Sequence, residues 1–166
     1  TSTFQNVIVL FNTGNVMEMG WLEDYESIKA AAMIWIPGEF GMRAVGQMLS
    51  GEVNPSGRLT DTIAYNIEDH PSTECFGTYE YEGGGNYVEY LEGIYVGYRY
   101  FETFDPEYEK VNYEFGYGLS YTTFALKSYD PHIEGSLVDF CVEVENTGDV
   151  AGREVVQCYL SAPDGK

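Results

Sequence analysis

The side chains able to do chemistry in this sequence are chiefly acids. Glu80, Glu82, Glu89 and Glu92 fall in one Tyr/Gly-rich stretch, and Glu39 stands apart in a Gly-Glu-Phe-Gly-Met run. Two carboxyl groups held side by side can serve as nucleophile and general acid/base. With 27 acidic residues in 166, however, a cluster is expected by chance, and a solvated acidic loop is the preferred reading. Tyr79 and Tyr87 flank Gly83-Gly84-Gly85 in the same stretch, and a tyrosine face suits stacking on a ring-shaped ligand. Half-buried strands with wet edges account for most of the 15 tyrosines equally well. The glycine triplet lacks the Gly-Lys-Ser/Thr ending of a phosphate loop. Arg99 is expected to pair with a carboxylate rather than touch a ligand.

Metal chemistry is not indicated. Cys75, Cys141 and Cys158 are widely spaced and form no CxxC pair, and His70 and His132 lie far apart in sequence. Cys141 and Cys158 sit in apolar, strand-like runs and read as small buried hydrophobes in a reducing compartment; a disulfide between them is the weaker reading. That pattern places the cytoplasm slightly ahead of secretion. Eight basic against 27 acidic residues give a net charge of −19, which repels phosphate backbones and anionic lipid surfaces. Nucleic-acid and membrane partners are therefore set aside. Residues 1–6 lack the basic and apolar regions of a signal peptide, and no apolar run approaches a membrane span. A hydrophobic share of 44% and an aromatic share of 16% are those of a packed chain.

The elements that would position these groups follow from periodicity. Residues 7–11 (VIVLF) read as a strand buried on both faces and ending in an Asn-Thr-Gly-Asn turn. Residues 24–31 are helix-compatible, 32–36 read as a second buried strand, and 40–49 read as a helix ending near Gly51. Strand, helix, strand, helix is the grammar of an α/β layer, of which two strands make half a sheet or less. Residues 51–61 are turn chemistry. From 66 to 112 the chain reads as a long polar loop, with 93–100 extended. After Tyr121 the period becomes two: 122–127, 137–145 and 154–161 read as the first strands of a β-sandwich too short to close.

Four stretches carry a family resemblance. Residues 51–59 (GEVNPSGRL), 90–100 (YLEGIYVGYRY), 115–124 (FGYGLSYTTF) and 146–157 (NTGDVAGREVVQ) resemble, in order, signature segments of glycoside hydrolase family 3. Together they cover nearly the whole chain. Residues 38–42 (GEFGM) depart from the family's commoner GQEGG, so no chemistry is assigned to Glu39. Residues 58–65 (RLTDTIAY) also depart from the common pattern and look more like the subgroup in which the barrel follows the fibronectin-like domain.

The resemblance implies an α/β plus β organisation. Residues 1–65 would be the C-terminal part of an α/β sandwich, 66–115 an interdomain linker and loop, and 116–166 the N-terminal part of a fibronectin type III-like β-sandwich. It implies a segment of a retaining β-glycosidase, in first place a β-glucosidase, that works without cofactor or metal. The nucleophilic aspartate of such an enzyme lies on a (β/α)8 barrel, and its acid/base glutamate precedes the strand that here is residues 7–11. No catalytic residue is therefore expected in this chain, and it would be inactive alone. Tyr79 and Tyr87 are the expected substrate-binding residues, reaching the leaving-group side of the sugar pocket. The expected partners are a β-glucoside or oligosaccharide, the missing barrel and remaining domains, and, through unfinished sheets, a further copy of the chain. The alternative is a non-catalytic carbohydrate-binding or self-assembling β-module.

Overall fold

The unbroken apolar run Val7–Phe11 forms the first strand, β1. The structure, a computed structural model, describes residues 3–77 and 79–161. Strand β2 is Ile28–Met33 and pairs parallel with β1, Ile8 opposite Ala30 and Phe11 opposite Met33. This corrects two expectations. Residues 24–31 form no α-helix: a 3-10 turn at Gly20–Asp24 makes the crossover, and the second strand begins four residues before residue 32. Three consecutive alanines carry little preference of their own. The ladder to β1, with Ile28 and Met33 packed against the core, decides their state. The expected burial of β1 on both faces is also corrected, since Ile8 is 52% exposed and only Phe11 of this strand is buried. A two-stranded sheet has one covered face here, the one turned to Met19, Leu22 and Ile63.

Helix α1, Gly38–Leu49, follows as expected and ends where the Gly51 N–H reaches the Met48 carbonyl at 3.0 Å. The chain then divides into two compact units: residues 1–45 with 59–117, and residues 46–58 with 118–166.

The first unit has two apolar clusters. Phe11, Met19, Leu22 and Ile63 form one; Ala64, Phe101 and Val111 form the other. Between the two clusters runs a short antiparallel ladder of β3 (Ile63–Ala64) and β6 (Val111–Tyr113). The expected loop over residues 66–112 is therefore structured. It holds 3-10 turns at Ile67–Asp69 and Pro71–Cys75, a hairpin of β4 (Tyr79–Glu80) and β5 (Asn86–Tyr87), and helix α2, Tyr98–Phe104. The extended reading of residues 93–100 fails at α2. Coiling that segment lets Phe101 become fully buried, at 0% exposure, and tertiary burial outweighs the strand preference of its aromatic neighbours.

The second unit contains the antiparallel pair β7 (Phe124–Glu134) and β8 (Leu137–Asn146), in register from Phe124 opposite Asn146 to Glu134 opposite Leu137. β7 runs seven residues past the expected 122–127 and takes in Pro131, which a two-stranded ladder tolerates because it has an outer edge. Residues 154–161 form no strand and are exposed, a further correction: alternation alone makes no ladder without a partner strand. Cys141 and Cys158 are exposed free thiols, not buried ones, and Cys75 is the buried cysteine. One face of a two-stranded ribbon cannot enclose Cys141. Residues 162–166, which the expected β-domain includes, lie outside the described residues.

Candidate functional site

The β4–β5 hairpin brings the two expected ligand-facing tyrosines together. Alternation puts Tyr79 and Tyr81 on one face, and the register sets Tyr79 directly opposite Tyr87. Their rings stack with centroids 5.2 Å apart and planes inclined by 24°. Tyr81, which sequence reasoning did not single out, leans on Tyr87 with centroids 4.7 Å apart and is the most exposed of the three rings at 61%. The period-two spacing from Tyr79 was the available signal. The turn is closed by Tyr81 N–H to the Gly85 carbonyl at 2.9 Å and Gly84 N–H to the Tyr81 carbonyl at 3.1 Å. Asn86 Nδ2 donates to the Gly77 carbonyl at 3.2 Å, tying β5 to the turn before β4.

Beneath the hairpin the Tyr79 hydroxyl donates to the Sγ of buried Cys75 at 3.9 Å. That bond, with partial burial and the nearby Glu89 charge, raises the phenol above its ordinary value, so Tyr79 is a neutral donor across physiological pH. The acids weighed for chemistry are not enclosed: Glu39, Glu80, Glu82 and Glu89 are exposed and Glu92 is half-buried. Arg99 departs from expectation. Its Nη1 donates to the Ile94 carbonyl at 3.4 Å, and its guanidinium lies 5.8 Å from the Tyr98 ring centroid instead of against a carboxylate. Among the described residues no group of three or more His, Cys, Asp or Glu side chains could hold a metal ion. No helix among them is long and apolar enough to cross a membrane.

Three of the four signature stretches meet in the second unit. Asn54 Oδ1 accepts from the Ser120 hydroxyl at 3.0 Å and the Tyr121 N–H at 2.8 Å, while its Nδ2 donates to the Ala151 carbonyl at 3.1 Å. Arg58 Nη2 reaches Glu154 Oε1 at 2.7 Å. The Val155 N–H and then Arg58 stabilise the Glu154 carboxylate and lower its pKa, against partial burial. Tyr121 caps α1 by donating to the Met48 carbonyl at 2.8 Å. Asn146 accepts from the Thr122 hydroxyl at 2.7 Å and the Gly148 N–H at 3.1 Å. Gly118 is required by closeness: a Cβ there would lie 2.5 Å from the Gly57 carbonyl oxygen. Gly116 is required by conformation, with φ at +84°. These motif residues bond to one another within the chain.

A family model described as the glycosyl hydrolase family 3 C-terminal domain matches residues 1–121, well over half of the chain. The chain belongs to glycosyl hydrolase family 3. Within that family it is 46% identical over 178 aligned positions to β-glucosidase A of Butyrivibrio fibrisolvens, covering 98% of this chain and 21% of that protein. It is 40% identical to a β-glucosidase of Ruminococcus albus, covering 98% of this chain and 16% of that one. Among solved structures, β-glucosidase 3B of Thermotoga neapolitana in complex with glucose superposes with a TM-score of 0.83 at 40% identity, covering 97% of this chain and 22% of that one. The chain thus spans about a fifth of the length of the family 3 proteins it matches.

Proposed function

We propose that this chain serves within a retaining β-glycosidase, in first place a β-glucosidase acting on terminal non-reducing β-D-glycosides, and that neither catalytic carboxylate lies among its residues. The observation that carries this reading is the 46% identity, over 98% of the chain, to a protein named β-glucosidase A. The exposure of Glu39, Glu80, Glu82 and Glu89 supports the second half, because a retaining pair must be held about 5–5.5 Å apart in a shielded cleft. In the complete enzyme a carboxylic acid would protonate the glycosidic oxygen while a carboxylate attacks the anomeric carbon. Water would then release the sugar from the covalent intermediate.

On this reading residues 1–65 complete an α/β sandwich, 66–115 link it onward, and 116–166 open a fibronectin type III-like domain. The parallel β1–β2 pair and the β7–β8 ribbon support the two ends of that assignment. A (β/α)8 barrel and the remaining domains would be the chain's partners, and a second copy is the further one. Tyr79 and Tyr87 would face the substrate's leaving group, supported by their stacked pairing on one face of the hairpin.

The test is release of nitrophenol from aryl β-glucosides and β-xylosides. The 166-residue chain alone should give no turnover, and the enzyme completed with its barrel should give turnover. In that enzyme Tyr79→Ala and Tyr87→Ala should alter KM or leaving-group preference; unchanged kinetics in both would remove them from the site. Turnover by the isolated chain that survives repurification would overturn the placement of the carboxylates, with Glu39, Glu82 and Glu92 then the first to be substituted.

A further inference from the structure

The first unit holds a cavity of about 400 Å³, within the range of small-ligand sites, and the three hairpin tyrosines are not among its lining residues. Half-buried Val16 gives it an apolar wall, and Ile67, Val96 and Phe76 form an open apolar rim, 45%, 57% and 78% exposed. Polar groups enter from residues 61–73. Thr62 lines the cavity at 2% exposure, and its hydroxyl has no hydrogen-bond partner among the described residues. Such a buried orphan is costly unless something satisfies it. His70 lies edge-on to Phe101 at 5.2 Å, and neither of its ring nitrogens bonds to a described residue. Burial lowers the His70 pKa, opposed by Asp69 and Asp61, so at neutral pH the imidazole offers one donor and one acceptor. Asp61, whose carboxylate accepts from the Thr60 hydroxyl at 3.3 Å, also lines the cavity, and the Thr73 hydroxyl, which donates to the Ile67 carbonyl at 2.7 Å, keeps its accepting lone pairs.

This set of groups selects a class of occupant. An anion would meet Asp61 and a chain of net charge −19. A cation would give up its water against apolar walls for a single carboxylate, which is costly. A purely apolar molecule would leave the Thr62 hydroxyl and the imidazole unsatisfied. A ring with one apolar face and a rim of hydroxyls satisfies both demands, laying its face on Val16 and Phe76 and its hydroxyls on Thr62, His70 and Asp61.

We propose that this cavity is a binding site for one neutral, pyranose-sized polyol, separate from Tyr79 and Tyr87. The proposal does not rest on the glycosidase reading, because it concerns binding by this chain and no bond is made or broken. Amide spectra of the 166-residue chain, titrated with methyl β-D-glucopyranoside, test it directly. Sodium acetate and magnesium chloride serve as charged controls. The expected result is saturable shifts confined to Val16 and residues 61–76 and 96–97, with a millimolar dissociation constant. Thr62→Val, which keeps the shape and removes the hydroxyl, should weaken binding several-fold. Val96→Trp, which adds bulk at the exposed rim, should abolish it, and it carries the test alone if Thr62→Val does not fold. Absence of saturable shifts with the glucoside, or equal affinity in both variants, would overturn the site. Equal or larger shifts with acetate or magnesium would overturn the ligand class. None of these outcomes bears on whether a completed enzyme hydrolyses aryl glucosides, so the two readings fail separately.

Discussion

The two units of this chain are held together by different physics. The first has most of its buried residues in two apolar clusters, with Phe11, Met19, Leu22 and Ile63 in one and Ala64, Phe101 and Val111 in the other. The second has a single buried residue among those described, Thr122, and it is polar. Its order comes from Asn54, Arg58, Tyr121, Asn146 and Glu154, each bonded to a partner distant in sequence. Apolar burial is non-directional and tolerates substitutions that conserve volume; a hydrogen-bond lattice is directional and does not. This gives polar and glycine signature residues a part in holding the second unit together.

The contrast can be broken by substitution. Phe101→Ala should have the largest effect, about 3–5 kcal/mol, read as faster hydrogen exchange in β3, β6 and α2. Phe101→Leu should recover most of that loss, as expected of a volume-driven site. In the second unit Asn54→Ala should cost about 2 kcal/mol by denaturant titration, because three bonds go at once. Asn54→Asp keeps the acceptor for Ser120 and Tyr121 and loses only the donor to Ala151, so about 1 kcal/mol is expected. Equal losses from Asp and Ala would show that the lattice is not directional. Arg58→Met should cost about 1 kcal/mol, less in high salt, if the Glu154 pair is electrostatic.

The smallest effect should be a pH dependence confined to the first unit. Burial lowers the His70 pKa below its ordinary 6.5, so the folded state binds fewer protons than the unfolded one as pH falls through that value. The stabilisation is present above pH 6.5, declines as pH falls below it, and levels off below the folded pKa. His70→Gln should flatten that part of the stability–pH curve. A slope unchanged by the substitution would mean that other groups set it. Glu154, depressed in the fold, should act in the second unit at lower pH, losing its contribution as pH falls from the ordinary 4.5 through the folded value.

How much of this was legible in the sequence follows from the same division. β1 could be read from its unbroken apolar run, α1 and β8 from their periods, and the family because its motifs are strings of fixed residues. β2 was misplaced because Ala30-Ala31-Ala32 has no local preference and takes its state from β1. α2 was missed because its aromatic residues favour strands until Phe101 is offered a core. Burial of Cys141 and Cys158 was overestimated because alternation gives a face, and a ribbon of two strands leaves that face uncovered. At the candidate site Tyr79 and Tyr87 were found from composition. Tyr81 lay within reach of its period-two spacing from Tyr79, whereas Cys75 and the Thr62–His70 cavity required the fold, since nothing in the sequence announces an unpaired hydroxyl.

The hairpin tip has a practical consequence. Gly83, Gly84 and Gly85 stand at φ values of +111°, +97° and +97°, with nothing within 4 Å of where a side chain would begin. Two ends of chain lie close together there and face open solvent. Such a point accepts foreign sequence, as exposed loop tips in proteins generally do. A short epitope or dye-binding peptide spliced between Gly84 and Gly85 would stand at the end of the hairpin that carries the three tyrosine rings, close enough to serve as a reporter for that hairpin.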